Sequence, residues 1–222
     1  MQRPLYAILL DGGFLTKKLY SKLGRHPTAD DIALACDELQ AAPQVEGYEL
    51  LRIYYYDAVP SSEKLQYPVS KADYNLALTE RYRLSQSLFD QLILKPQFAL
   101  RMGEVTLSPQ KWTIKPRSQK QLVKAARELT DDDFTLDLSQ KGVDLRIGMD
   151  MARLAIREMV RAVIVVTGDS DFVPAFKFVR REGVKVILQT YGHNVRVELK
   201  QHADFVLDNS VGVEVPAEAE GT

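Results

Sequence analysis

The chain is short of several things at once. It has one cysteine, Cys36, in 222 residues, so no internal disulfide can form and a reducing, cytoplasmic setting is expected. Cys36 sits among Ile32, Ala33 and Ala35 and reads as a small buried residue of a helix. The three histidines, His26, His193 and His202, share no zinc-ligand spacing with one another or with Cys36. No apolar run approaches the roughly 20 residues of a membrane span, so no membrane association is expected. Residues 1–10 lack the basic-then-apolar pattern of a secretory signal. A serine–histidine elbow and a phosphate-binding glycine loop ending in Lys-Ser or Lys-Thr are both absent. The net charge of −1 gives no general attraction to polyanions. What remains is ordinary globular material: 45% hydrophobic and 27% charged residues, enough to bury a core.

Short apolar runs alternate with helical patterns. Leu5–Leu10 reads as a buried strand ended by a Gly12-Gly13 turn, with a short helix to about Lys22 and another from Thr28 to about Gln40. Tyr48–Tyr56 is a second strand ending on Asp57. Ala58–Pro68 reads as loop and Asp73–Leu94 as one long helix. Phe98–Val105 and Lys111–Lys115 read as a hairpin joined through Ser108-Pro109, and Ser118–Leu129 as a polar helix. The last third is regular: helix from about Gly142 to Glu158, strand Val163–Thr167, helix Phe172–Arg181, strand Val184–Gln189, a short helix near Asn194–Gln201 and strand Phe205–Leu207. Such alternation predicts an α/β fold with a mainly parallel sheet covered on both faces. The organisation expected is a single domain over residues 1–210, an irregular hairpin-and-helix insert over 58–140, and a tail over 211–222. The oligomeric state is open, a homo-oligomer included.

Four aspartates fall where these elements begin or end. Asp11 closes the first strand. Asp144 opens the helix after Lys141-Gly142-Val143. Asp169 and Asp171 follow the third strand in Gly168-Asp169-Ser170-Asp171-Phe172. In an open α/β sheet the carboxyl ends of the strands form the ligand crevice, so parallel neighbours bring these carboxylates together. Two unit charges about 4 Å apart repel by roughly 4 kcal/mol at an effective dielectric near 20. Such a cluster takes up a cation or protons, and oxygen-only ligands favour Mg²⁺ or Mn²⁺. Each aspartate also has a local alternative: Asp11 and Asp169 as turn residues, Asp171 as a helix cap, Asp144 as a partner of the helix dipole. Asp57 is a weaker candidate for the rim. Asp150 has ion-pair options at Arg146 and Arg153, with a supporting role as the other reading. Thr167 and Ser170 can bond the carboxylates or a phosphate, ordinary turn bonding being the simpler role.

Residues 95–127 hold eight basic residues and one acid, Glu104. A basic segment beside a carboxylate cluster suits a polyanionic substrate, and Arg101, Lys111, Lys115, Arg117 and, further on, Lys141 are the candidate phosphate contacts. A solvated basic surface is the plain alternative. Trp112, Phe98 and Tyr74 can stack on bases or simply pack.

The strand ending in Asp11, then Lys141-Gly142-Val143-Asp144, then Gly168-Asp169-Ser170-Asp171-Phe172 with Pro174 together resemble the NYN domain of the PIN-like nuclease superfamily, in its LabA-like branch. The resemblance covers nearly the whole chain. It implies a Rossmann-like three-layer sandwich and a Mg²⁺- or Mn²⁺-dependent ribonuclease site with Asp11, Asp144, Asp169 and Asp171 as metal ligands. Asp150 matches a further acidic position of the same helix. One position departs: many family members carry asparagine three residues after the first aspartate, where this chain has Phe14. The leading expectation is a metal-dependent phosphodiesterase acting on single-stranded RNA. The alternative is a non-catalytic RNA-binding or regulatory adaptor that keeps the acidic pocket. A phosphatase-like enzyme with an aspartate nucleophile fits poorly, because Asp11-Gly12-Gly13 lacks the second carboxylate such enzymes place after the first strand.

Overall fold

The computed structural model of the chain describes residues 3–207; the tail expected over 211–222 lies outside the described residues, as does the domain end at 210. In chain order the elements are β1 (Leu5–Asp11), α1 (Gly12–Leu23), α2 (Ala29–Gln40), β2 (Glu49–Val59), β3 (Lys64–Gln66), β4 (Asp73–Asn75), α3 (Glu80–Leu92) and β5 (Phe98–Ile114). They continue as α4 (Pro116–Lys124), β6 (Phe134–Lys141), α5 (Val143–Ile156), β7 (Ala162–Val166), α6 (Val173–Arg181), β8 (Lys185–Gln189), α7 (Val197–Gln201) and β9 (Phe205–Leu207). A seven-stranded sheet has the order β6-β5-β2-β1-β7-β8-β9, and β3 pairs with β4 in a separate ribbon. The pairs β1–β2, β1–β7, β7–β8 and β8–β9 are parallel, and β5–β6 is antiparallel. The architecture is the expected α/β fold, a mostly parallel sheet flanked by helices. Among the described residues no helix is long and apolar enough to cross a membrane.

The chain divides into two compact units. The first comprises the residues before Ala58, Leu88–Met102, and the chain from Val143 onward; the second comprises Ala58–Ser87 and Gly103–Gly142.

In the first unit, Tyr6–Leu10 of β1 and all of β7 are buried. Both faces of a parallel strand are covered by helices, which is why these segments are continuous apolar runs rather than alternating ones. Ile147, Met151 and Leu154 form the buried stripe of α5, spaced to fall on one face of a helix. α2 starts with a capping box in which Thr28 and Asp31 satisfy each other's backbone N–H. Arg25 grips the Asp31 carboxylate at 2.7 and 3.0 Å. Cys36 is buried in α2.

The expected Gly12-Gly13 turn is a helix start: β1 runs into Asp11, and α1 begins at Gly12. Asp11 caps that helix by accepting from the Phe14 N–H at 3.0 Å, so no turn is needed. Gly12 answers a close approach. A Cβ there would lie 2.6 Å from the Tyr55 ring and 2.7 Å from the Tyr56 carbonyl oxygen.

The second unit departs most from the sequence reading. Phe98–Ile114 is one strand, so the hairpin through Ser108-Pro109 does not form. Its register on β6 slips between Leu107, opposite Leu138, and Trp112, opposite Leu136. Pro109 has no N–H for the ladder, so Ser108–Lys111 swells out as a bulge, with Lys111 at φ 62°. The long helix over Asp73–Leu94 breaks into β4, a 3₁₀ turn at Leu76–Leu78, and α3. Two side chains cause the break: Asn75 accepts from the Ala77 N–H at 3.0 Å, and Thr79 accepts from the Tyr82 N–H at 3.2 Å. Local bonds of this kind compete with helix continuation. The loop over Ala58–Pro68 contains β3, and the helix over Ser118–Leu129 is the shorter α4. A second capping box, Thr130 with Asp133, precedes β6. Arg127 closes on Asp133 at 2.7 Å.

A candidate carboxylate site at the strand ends

The register of the central strands places Asp11 beside Tyr56 of β2, and Leu10 beside Val166 of β7. The carboxyl ends of these three strands therefore lie side by side. Asp11 ends β1, Asp57 follows Tyr56 in β2, and Thr167 follows β7. The buried Thr167 hydroxyl donates to Asp11 Oδ2 at 3.3 Å and accepts from the Asp169 N–H at 3.1 Å. One side chain thus ties the end of β1 to the turn after β7. Turn bonding was the simpler expectation for Thr167; it makes that bond and also reaches across the sheet.

The turn itself inverts the expected capping. Asp169 Oδ1 accepts from the Asp171 N–H at 2.9 Å, so Asp169 is the cap and Asp171 presents an exposed side chain. Ser170 is half-buried in the 3₁₀ turn Ser170–Phe172. Pro174 falls in the first turn of α6, where its missing N–H has no partner to lose. Gly168 is required by crowding: a Cβ there would lie 2.6 Å from Phe14 Cε2 and 2.7 Å from His193 Cδ2. Phe14 and His193 meet edge to face with centroids 5.6 Å apart. Both rings thus line the turn that carries Asp169, a role the spacing of the histidines did not reveal.

The carboxylates feel one another. Burial, first, and then the negative charges of Asp144 and Asp57 push the Asp11 carboxyl up to about 6, against the lowering effect of its bonds from Phe14 and Thr167. Asp144, exposed in the first turn of α5, is pushed up by desolvation and by the charges of Asp169 and Asp171. So Asp57, Asp11, Asp144, Asp169 and Asp171 form a chain of mutually repelling carboxylates at one end of the sheet. Tyr55 joins them from below: its buried hydroxyl lies 3.3 Å from Asp57 Oδ2 and 3.2 Å from the Thr16 hydroxyl.

Asp150 has a different setting. Its Oδ2 accepts from the Tyr56 hydroxyl at 2.9 Å and from Arg101 Nε at 3.1 Å, and the Arg101 guanidinium lies over the Tyr54 ring at 5.3 Å. The expected ion pair of Asp150 forms with an arginine of the sheet, Arg101, outside the helix. It also engages a residue expected to meet phosphate. Lys111, Lys115, Arg117 and Lys141 belong to the second unit and are exposed. Lys115 donates to the Asp132 carbonyl at 2.8 Å, and Lys141 stands opposite Glu104 in the β5–β6 register.

All the strand-end donors are carboxylate oxygens, the chemistry hard divalent cations prefer. Among the described residues no group of three or more His, Cys, Asp or Glu side chains is placed to hold one ion together. That does not disqualify the set for Mg²⁺, which keeps most of its waters and binds through one or two carboxylates and a substrate phosphate.

The family model for the NYN domain matches residues 104–209. The match covers a little under half of the chain. NYN domains are part of the PIN-like superfamily and are of nuclease type. Asp144, Asp169 and Asp171 lie within the NYN stretch; Asp11 and Asp57 lie before it. The fold resembles a crystal structure of VPA0982, a protein of unknown function from Vibrio parahaemolyticus RIMD 2210633. The two share 15% identity and a TM-score of 0.52 over 93% of this chain and 95% of that one, a likeness of fold alone. No curated protein matches the chain.

Proposed function

We propose that the chain is a divalent-metal-dependent ribonuclease of the LabA-like NYN branch that hydrolyses phosphodiester bonds in single-stranded RNA. The observation that carries the reading is the pair of raised carboxyls, Asp11 and Asp144, at the crevice end of a parallel sheet. Asp11, Asp144, Asp169 and Asp171 would hold Mg²⁺ or Mn²⁺. When bound, the ion supplies an activated water and offsets charge on the phosphoryl group. The chain's own residues fix the donors. The Phe14 N–H and Thr167 hydroxyl hold Asp11, the Asp171 N–H orients Asp169, and Thr167 keeps the two turns in register. Asp144 and Asp171, both exposed, are the donors free to move onto an ion or a substrate-bound water. Exposed basic residues of the second unit, Lys111, Lys115, Arg117 and Lys141, contact the phosphate backbone, so binding weakens as salt rises.

Defined single-stranded RNA and DNA oligonucleotides incubated with Mn²⁺ test the reading. Wild type cleaves RNA, and the Asp169→Asn protein loses at least about 100-fold of that rate with an unchanged circular dichroism spectrum. Asparagine keeps an Oδ1 for the Asp171 N–H, so the turn survives. Equal cleavage by a nuclease-free Asp169→Asn preparation would remove the proposal. Phe14 favours a second reading, a non-catalytic RNA-binding adaptor, because it brings no amide at the position where many members of the resembled family carry asparagine. RNA binding in EDTA, with no cleavage after long incubation in Mn²⁺, would establish that reading instead.

A further inference from the structure

Three rings in the second unit touch one another. Tyr67 and Trp112 stack with centroids 5.5 Å apart and planes 28° from parallel. Tyr74 closes the triangle, 4.9 Å from Tyr67 and 5.7 Å from Trp112. The β3–β4 ribbon explains the arrangement. Leu65 pairs with Tyr74, and the Tyr67 N–H bonds to the Ala72 carbonyl at 2.9 Å, so the antiparallel pairing continues past Gln66. Alternation along a strand then puts Leu65, Tyr67 and Tyr74 on one face. Trp112 is fixed to the ribbon by its indole N–H, which donates to the Gln66 carbonyl at 3.0 Å. Its polar edge is thereby satisfied, and the part of the ring that Tyr67 and Tyr74 leave uncovered is what it has to offer.

Packing accounts for only part of this. Leu65, on the same face, is 5% exposed, whereas all three rings keep some accessible surface. Two lysines lie next to them along the chain: Lys71 in the ribbon's turn and Lys111 just before Trp112 in the bulge. Both are exposed. Acids lie close as well: Asp73 is engaged by the Gln66 amide at 3.5 Å, and Asp131 accepts from the Val69 and Ser70 N–H groups of the turn that carries Lys71. Aromatic faces beside cations are what single-stranded nucleic acid uses, because every base has a face to stack and every nucleotide a phosphate.

We propose that Tyr67, Tyr74 and Trp112 form a stacking platform for the bases of single-stranded RNA, with Lys71 and Lys111 against its phosphates. The proposal rests on the RNA reading above and adds where unpaired bases are held. It excludes duplex RNA at this surface, since paired bases have no free faces.

The chain's single tryptophan makes the surface directly readable. Full-length Asp169→Asn protein, used so that the RNA stays intact, is titrated with a single-stranded oligouridylate labelled for anisotropy. Indole emission is followed in the same samples. Trp112 emission should change saturably along the anisotropy curve, and duplex RNA should leave it unchanged. Tyr67→Ala should weaken binding by about tenfold, and Tyr67→Phe, which keeps the ring, should not. Binding by anisotropy with no change in Trp112 emission would overturn the platform while leaving the nuclease reading intact. So would equal affinity of Tyr67→Ala and Tyr67→Phe. Absence of RNA binding in anisotropy, together with no cleavage by wild type, would overturn both.

Discussion

The two units hold themselves together by different means. In the first, β1 and β7 bury five consecutive residues each, and helices pack over the sheet. In the second, β6 buries none of its eight residues and β3 one of three; Ala58, Leu65 and Leu76 are its buried hydrophobic side chains among the described residues. What holds the second unit is polar: a capping box, the Arg127–Asp133 pair, and the Asp131 carboxylate that accepts from the Val69 and Ser70 N–H groups at 2.9 and 3.3 Å. The difference matches the tasks proposed for them. Carboxylates that must keep a fixed spacing stand on strands whose register cannot slip without exposing an apolar run. A surface that follows a flexible strand tolerates a bulge and half-exposed rings.

Substitutions separate these two regimes. The largest effect is expected at the carboxylates, where Asp169→Asn removes at least about 100-fold of Mn²⁺-dependent cleavage and leaves stability close to wild type. Next, Ile164→Ala, at a fully buried position of β7, should cost about 2–5 kcal/mol in urea denaturation. Third, pH acts on Asp11. Its folded carboxyl sits at about 6, above the value of about 4 for an unfolded chain. Between these the folded protein binds the extra proton, so metal-free stability should fall as pH rises through that window and level off above it. The drop is up to about 3 kcal/mol, and Asp11→Asn should flatten it. The smallest effect belongs to the second unit: Leu107→Ala, half-exposed on β5, should cost about 1 kcal/mol or less. If Leu107→Ala matched Ile164→Ala, the contrast between the units would be wrong.

Legibility follows the same division. β7, β8 and β9 appear within a residue or so of their expected ends, because a buried parallel strand is a run of branched apolar residues bounded by glycine and charge. The capping box at Thr28 and Asp31 announces α2 to the residue. In the second unit the pattern is faint. Phe134, Leu136 and Leu138 alternate with polar residues, yet their partner strand carries a proline and a bulge that hide the pairing. Asn75 and Thr79 are cap residues that split the apparent helix over Asp73–Leu94, and that signal was present in the sequence. At the site, Asp11, Asp144, Asp169 and Asp171 were expected as a group from the ends of strands and the start of a helix, and Asp57 as a rim residue; the charges of Asp144 and Asp57 act on Asp11. Tyr55 and Arg101 were not legible in their roles: a buried hydroxyl under Asp57 and a guanidinium on Asp150 depend on which strands become neighbours.

The contact of Phe14 with Gly168 ties two distant stretches of chain by size. A methyl group at 168 has no room while the benzyl group of Phe14 and the His193 ring both stand over it. Gly168→Ala should damage the turn beneath Asp169, and trimming Phe14 alone should not repair it, because His193 Cδ2 would still lie 2.7 Å from the new methyl; only relief at both rings, from stretches 154 and 25 positions away in the sequence, makes room.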